Sequence, residues 1–133
     1  MKAEDLMVGD WVTFNDCEPN EIVPIKIAAL GTSELYAHID NDEVCDVIGY
    51  HELTGIPLTP EILERNGFVL QEKEVGLFGI TIAPHYTRDD LPFEVFCDGD
   101  PFAIWFSDPI DIAYVHLLQH ALRLCGIDKE IVL

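Results

Sequence analysis

At 133 residues the chain has the length of one ordinary domain, enough to bury roughly two thirds of the surface that its unfolded form exposes. Its 25 acidic and 7 basic side chains give a formal charge of −18, spread along the chain: residues 1–66 hold 14 acids and 3 bases, residues 67–133 hold 11 and 4. That balance argues against direct binding to DNA, RNA or an anionic membrane, where Lys and Arg must neutralise phosphates, and it leaves a basic protein or a cation as the partners that charge favours.

An apolar fraction of 49% and a mean hydropathy of +0.17 predict a single domain over residues 1–133 with a core that needs no disulfide. Cys17, Cys45, Cys97 and Cys125 lie 28, 52 and 28 residues apart without a C-x-x-C pair, so a four-cysteine zinc site is not expected. They read as free thiols buried as small hydrophobes in a reducing cytoplasm. The opening MKAEDL has no apolar run and no stretch approaches 18 uninterrupted apolar residues, so neither a signal peptide nor a membrane span is expected.

In chain order, MKAEDLMVGDWVTFND predicts a lead-in, a turn at Gly9–Asp10 and a strand from Trp11 to Asn15 with Val12 and Phe14 on one face. IVPIKIAAL, ELYAHID and EVCDVIGYHEL follow as three apolar-rich runs at spacings of about ten residues, the pattern of an antiparallel meander. Pro24 sets the second strand at an edge or bulge. IPLTPEILERNGF carries the clearest local signals. Thr59 is an N-cap, Pro60 fits the first helical position, Glu61 favours the positive end, and Asn66-Gly67 supplies a left-handed stop. A short helix over about 60–66 results, with Ile62 and Leu63 facing the core and Phe68 returning the chain to a strand.

FVLQEKEV, LFGITIAP, PFEVFCDG and PFAIWFSD read as four further strands, the last two joined at Asp98-Gly99-Asp100-Pro101. From Asp108-Pro109 the period changes from 2 to 3.6 and predicts a long amphipathic helix over about 110–125. Its apolar stripe is Ile112, Val115, Leu118, Ala121, Leu122 and Cys125, widened by Tyr114, Leu117 and Leu124. Gly126 stops it, and EIVL is expected to add a last short strand. The architecture expected is α+β, mostly antiparallel strands in a meander or small barrel-like sheet, with one short and one long helix.

Three blocks, KAEDLMVGDWV, IPLTPEILERNGF and YVHLLQHALRLCG, stand in an order and at distances that resemble a family of small uncharacterised Bacteroidetes proteins, often prophage or mobile-element associated. The resemblance covers about a third of the residues, mostly at the two helices. It implies a bacterial cytoplasmic setting and a mobile-element origin, and it brings no activity, cofactor or catalytic residue. The family's last helix often reads VHQLQN, which matches His116 and Gln119 and puts Asn at position 120, so it supports no shared role for a histidine pair.

His116 and His120, four apart, share one helix face, which is how many helical zinc sites begin. The zinc-protease pattern H-E-x-x-H is excluded because Leu117 takes the glutamate's place. Asp111, Asp108 or His85 would have to complete a site, and Arg123 within one turn would repel the ion. The competing reading is a polar stripe of His116, Gln119, His120 and Arg123, covered by water or by a hydrogen bond from a neighbouring loop. HIDNDEVCD offers Asp40, Asp42, Glu43 and Asp46, but an EF-hand counted from Asp40 would need Gly and Glu where Cys45 and His51 stand. An acidic hairpin turn is the expectation there.

HYTRDD gathers His85, Tyr86, Arg88, Asp89 and Asp90 in one loop without a nucleophile beside a base, and Arg88 pairing with one of the two aspartates is the plain reading. Trp11, Trp105 and Phe106 are the aromatic candidates for a protein-binding surface.

These features predict a non-enzymatic cytoplasmic accessory or protein-interaction domain that binds an unknown protein and forms a homodimer in one version. It has no catalytic residue, no cofactor, and no metal beyond the candidate pair His116 and His120. Two alternatives stay open: an acidic nucleic-acid mimic that inhibits a basic DNA-binding enzyme, and a metal-dependent enzyme that uses His116 and His120.

Overall fold

The computed structural model describes residues 1–133 except 19, 73, 76–78, 80, 83, 97–102, 106–108 and 128; at 74–75, 81–82, 103–105 and 109–111 it describes backbone only. The fold is α+β. The chain groups into two compact units, Met1–Pro57 with Tyr114–His120, and Leu58–Ala113 with Ala121–Leu133.

The first unit is built on a five-stranded antiparallel sheet: β1 (Trp11–Phe14), β2 (Ile25–Leu30), β3 (Glu34–Ile39), β4 (Cys45–Gly49) and β5 (Leu53–Gly55), in the order β4-β3-β2-β1-β5. The order ends in two edge strands, so the described strands form an open meander and not a closed barrel. The alternation of IKIAAL and ELYAHI turns Ile25, Ile27, Leu35 and Ala37 to the same side, where they pack with Leu6, Val12, Ile48, Tyr50 and Leu53. Pro24 precedes the first residue of β2, where its missing N–H costs no ladder bond. β2 itself is an interior strand, and its irregularity lies between Ile27 and Ala29. At the β3–β4 turn Asp40 and Asn41 adopt φ of 51° and 62°, the paired positive values that a tight hairpin requires.

The run EVCDVIGYHEL divides into β4, a 3-10 turn over Tyr50–Glu52 and β5. The break is held by the Gly49 N–H donating to Oε2 of Glu52 at 3.0 Å and by the Tyr50 hydroxyl donating to the Gly31 carbonyl at 2.6 Å. Cys45 is exposed, which corrects the expectation of uniformly buried thiols. Cys17 and Cys125 are half-buried, all three are free, and Cys97 lies outside the described residues.

The second unit holds α1 (Pro60–Arg65), β6 (Val69–Gln71), β9 (His85–Thr87), β10 (Glu94–Phe96), β11 (Ala103–Trp105) and β12 (Pro109–Asp111). The strands form a second antiparallel sheet ordered β12-β11-β10-β9-β6, and β7 (Glu74–Val75) pairs with β8 (Thr81–Ile82). The hydroxyl of Thr59 accepts the Ile62 N–H at 3.3 Å, Pro60 starts α1, and Gly67 follows it at φ 85°. Ile62 and Leu63 are buried as expected, and Phe68 is buried beside them in sequence. Asn66 does more than cap: its amide donates to the carbonyls of Ile62 and Val132, and its Oδ1 accepts the Val132 N–H at 2.7 Å. This clamp holds residues 130–133 in an irregular path where a strand was expected.

α2 (Val115–Leu124) begins five residues later than expected. Residues 109–111 instead form an edge strand on β11, with Pro109 as its first residue, where the sheet asks for no N–H. The chain then stays extended: the Leu58 N–H donates to the Ala113 carbonyl and the Val115 N–H to the Ile56 carbonyl, each at 2.9 Å. Of the predicted stripe, Ile112, Val115, Leu118, Ala121 and Leu122 are buried, whereas Leu124 is 88% exposed and Tyr114 is exposed. Among the described residues no helix is long and apolar enough to cross a membrane.

Candidate functional site

The polar face of α2 in the first unit is the most organised cluster of chemistry-bearing side chains. Its partner is the turn ahead of β1. Gly9 takes φ 90°, the Asp10 N–H donates to the Met7 carbonyl at 3.1 Å, and the Met7 N–H donates to Oδ2 of Asp10 at 2.8 Å. Asp10 is thereby turned inward and has no exposed surface.

Helical spacing places His116, Gln119 and His120 together against this turn. Gln119 bridges it with both ends of its amide: Oε1 accepts the Trp11 N–H at 2.8 Å, and Nε2 donates to the Gly9 carbonyl at 3.0 Å. His120 donates from Nε2 to Oδ2 of Asp10 at 2.6 Å. The stripe is therefore covered by hydrogen bonds from a neighbouring loop, and His116 and Gln119 are buried rather than solvent-facing.

His116 differs from its neighbours. It is 3% exposed, and its Nδ1 is buried without a hydrogen-bond partner. Its ring stacks on Tyr114 at 5.8 Å and meets the edge of His120 at 5.8 Å. Burial holds its pKa below the ordinary 6.5, with His120 acting the same way and with Asp10 and Asp5 opposing. Tyr114 is seated by an isolated bridge to Pro57 and by Gly55, where a Cβ would come within 2.5 Å of the tyrosine ring. Glycine is required there for the close approach.

As chemistry, the cluster is an Asp–His pair beside a second, neutral imidazole. Asp10 fixes the orientation of one ring by occupying its Nε2, the arrangement that in catalysis serves a nucleophile. His120 Nε2 is committed to that carboxylate. Among the described residues no group of three or more His, Cys, Asp or Glu side chains is arranged to hold a metal ion.

His85 is a buried β9 residue of the second unit, 3.9 Å from Glu94 and ring to ring with Phe96 at 5.4 Å. Asp108, and the side chain of Asp111, lie outside the described residues. HYTRDD is half strand: β9 takes His85–Thr87 because β6 and β10 pair it on both sides. Arg88 then makes the ion pair, holding both oxygens of Asp90 at 2.5 and 2.9 Å and the Asn66 carbonyl at 3.1 Å over the Phe68 ring. That hydrogen bonding keeps the Asp90 carboxyl below the usual carboxylate range.

Of the three aromatic candidates, Trp11 is only 9% exposed, under Lys26, with its backbone N–H held by Gln119. It is a core residue and offers no docking surface, because β1 is covered on both faces. Trp105 stands on β11 opposite Glu94 and Pro109, and its side chain lies outside the described residues, as does Phe106.

An exposed apolar strip of the first unit lies on β3 and β4. Residues 40–47 are exposed without interruption. Val47 (53% exposed) stands directly across from Tyr36 (46%), beside exposed Val44 and Cys45. Among the described residues β4 has β3 as its one neighbour in the sheet, so its outer backbone edge has no strand partner among them. Exposed Asp40, Asp42 and Glu43 stand in the turn ahead of β4, and exposed Asp46 alternates with Val47 along it. Searches against protein-family models, curated proteins and solved structures give no match.

Proposed function

We propose that this chain is a non-enzymatic accessory domain that binds another protein, and that the outer edge of β4 is the surface it uses. The observation that carries this reading is the exposed cross-strand pair Tyr36–Val47 on an edge strand bordered by four acids. An edge strand is a template for strand addition: main-chain hydrogen bonds give affinity and alternate side chains give specificity. The acids select the partner, since an extended segment carrying Lys or Arg among apolar residues meets charge of the opposite sign. Self-association through the same edge would bring two sets of Asp40, Asp42, Glu43 and Asp46 together, which disfavours a homodimer at this surface. A basic nucleic-acid enzyme is one partner with the required chemistry, so mimicry of nucleic acid is a special case of the same reading. The resemblance of the three sequence blocks supports a bacterial cytoplasmic setting linked to mobile elements.

An amide NMR titration with a six-residue peptide of alternating Lys and Val tests the surface. Saturable shifts confined to residues 44–47 are expected, weakened about tenfold by Val47→Lys and weakened again in 1 M salt, where screening shortens to about 3 Å. Val47 is exposed, so the variant should melt with the wild type. Equal binding of a Glu-Val peptide, or shifts elsewhere on the chain, would contradict the reading.

A further inference from the structure

The face of β3 and β4 that carries Tyr36 and Val47 carries a second cross-strand pair, His38 and Cys45, which stand directly opposite each other. Cys45 is an exposed free thiol, and its Sγ lies 3.4 Å from Nε2 and 3.9 Å from Nδ1 of His38. The imidazole is itself oriented. Its Nδ1 is 2.8 Å from the Asp42 carbonyl, which can only accept, so Nδ1 carries the hydrogen of the neutral ring and Nε2, the nitrogen nearer the sulfur, is left as the proton acceptor.

These are the parts of an activated nucleophile: a thiol, a base within reach, and a group that fixes the base. The thiols of Cys17 and Cys125 are half-buried, and Cys17 accepts the hydroxyl of Thr13 at 3.6 Å. The acids then set the charge of what can approach. Asp42, Glu43 and Asp46 lie within three residues of Cys45 and are all exposed, so a cationic reagent is drawn to the thiol and an anionic one is repelled.

We propose that Cys45 is a site of S-thiolation, a nucleophilic thiol that exchanges with small disulfides carrying positive charge. The Cys45 proton passes to Nε2 of His38, the sulfur attacks one sulfur of the disulfide, and the S–S bond of the reagent breaks. The leaving thiolate takes the proton from the imidazolium and departs as a free thiol. Cys45 is oxidised to the mixed disulfide and the departing half of the reagent is reduced, so no other oxidant is consumed. The chemistry needs no protein partner, so it stands or falls separately from docking at the β4 edge.

The test is the rate of adduct formation on the intact chain with cystamine, which has an ammonium group at each end, and with net-anionic oxidised glutathione, read by mass spectrometry at the peptide that holds Cys45. Dividing each rate by that of the neutral thiol N-acetylcysteinamide removes the reagent's own reactivity. An ordinary thiol is ionised to roughly a few per cent at pH 7, so there Cys45 is expected to outpace the reference about tenfold with cystamine. His38→Gln keeps a donor for the Asp42 carbonyl, removes the base, and is expected to lose that advantage. Near pH 9.5 a thiol ionises without help, and the wild type and His38→Gln should react at equal rates, whereas a merely structural role for His38 would keep the same gap at both values. Oxidised glutathione is expected to react at least about tenfold more slowly than cystamine at low salt, relative to the reference. Equal rates for the wild type and His38→Gln at pH 7, a gap that does not close as pH rises, or no preference for cystamine would overturn the proposal.

Discussion

Replacing Asp10 by alanine is expected to cost about 3 to 5 kcal/mol of stability, the largest single effect among the polar residues of the first unit. The carboxylate is fully buried and has two structural duties at Oδ2: it accepts the Met7 N–H at 2.8 Å and the His120 ring at 2.6 Å. Alanine leaves the Met7 N–H unbonded, removes the anion that holds His120, and opens space under the turn that positions Trp11. Asp10→Asn keeps the volume and weakens the pairing, so it should fall between alanine and the wild type. Urea unfolding of the three proteins checks the order. A loss below about 1 kcal/mol for alanine, the size of an exposed pair, would show that the turn does not depend on this carboxylate.

The second large effect concerns pH. His116 is buried and held neutral, with a folded-state pKa below its ordinary 6.5. Above 6.5 the folded and unfolded chains bind the same number of protons at this residue, and it contributes no pH dependence. As pH falls below 6.5 the unfolded chain takes up a proton that the folded chain refuses, and stability drops by up to about 1.4 kcal/mol per pH unit. The fall ends once pH passes the folded-state pKa. His116→Leu removes this contribution, so the difference in stability between variant and wild type should widen in the variant's favour as pH is lowered from 7 to 5. Carboxylates common to both proteins cancel in that difference. A gap independent of pH would contradict the burial of a neutral His116.

How much of this could be read in the sequence depended on whether the determining contacts were local. α1 was fully legible because its signals are its own neighbours: Thr59 caps Ile62, Pro60 opens the helix and Gly67 ends it. The β3–β4 hairpin was legible for the same reason, through alternation and an acidic turn within residues 38–46, whose positive φ values fall at Asp40 and Asn41. Residues 109–111 misled because Pro109 also suits a helix start, and only pairing with β11 decides for strand. His85–Thr87 read as loop because its polar residues hide a strand that β6 and β10 impose from both sides.

The candidate cluster was half legible. The i, i+3, i+4 spacing of His116, Gln119 and His120 was visible, and so was the expectation that a loop would cover them. The part played by Asp10 was not, since it stands 110 residues from His120 and reads locally as a turn residue. A buried acid carries no sequence mark of its own; the closest hint was an Asp following Gly9 at a turn, directly before an apolar strand.

The central claim is that the histidine pair on α2 belongs to a hydrogen-bonded lock on the turn at residues 7–11 and does not begin a metal centre. A zinc titration followed through the ring resonances of His116 and His120 tests it most directly. The lock predicts no saturable change in either ring below about 10 μM zinc, since His120 Nε2 is committed to Asp10 and His116 is buried. One-to-one binding that shifts both rings together in that range would contradict it.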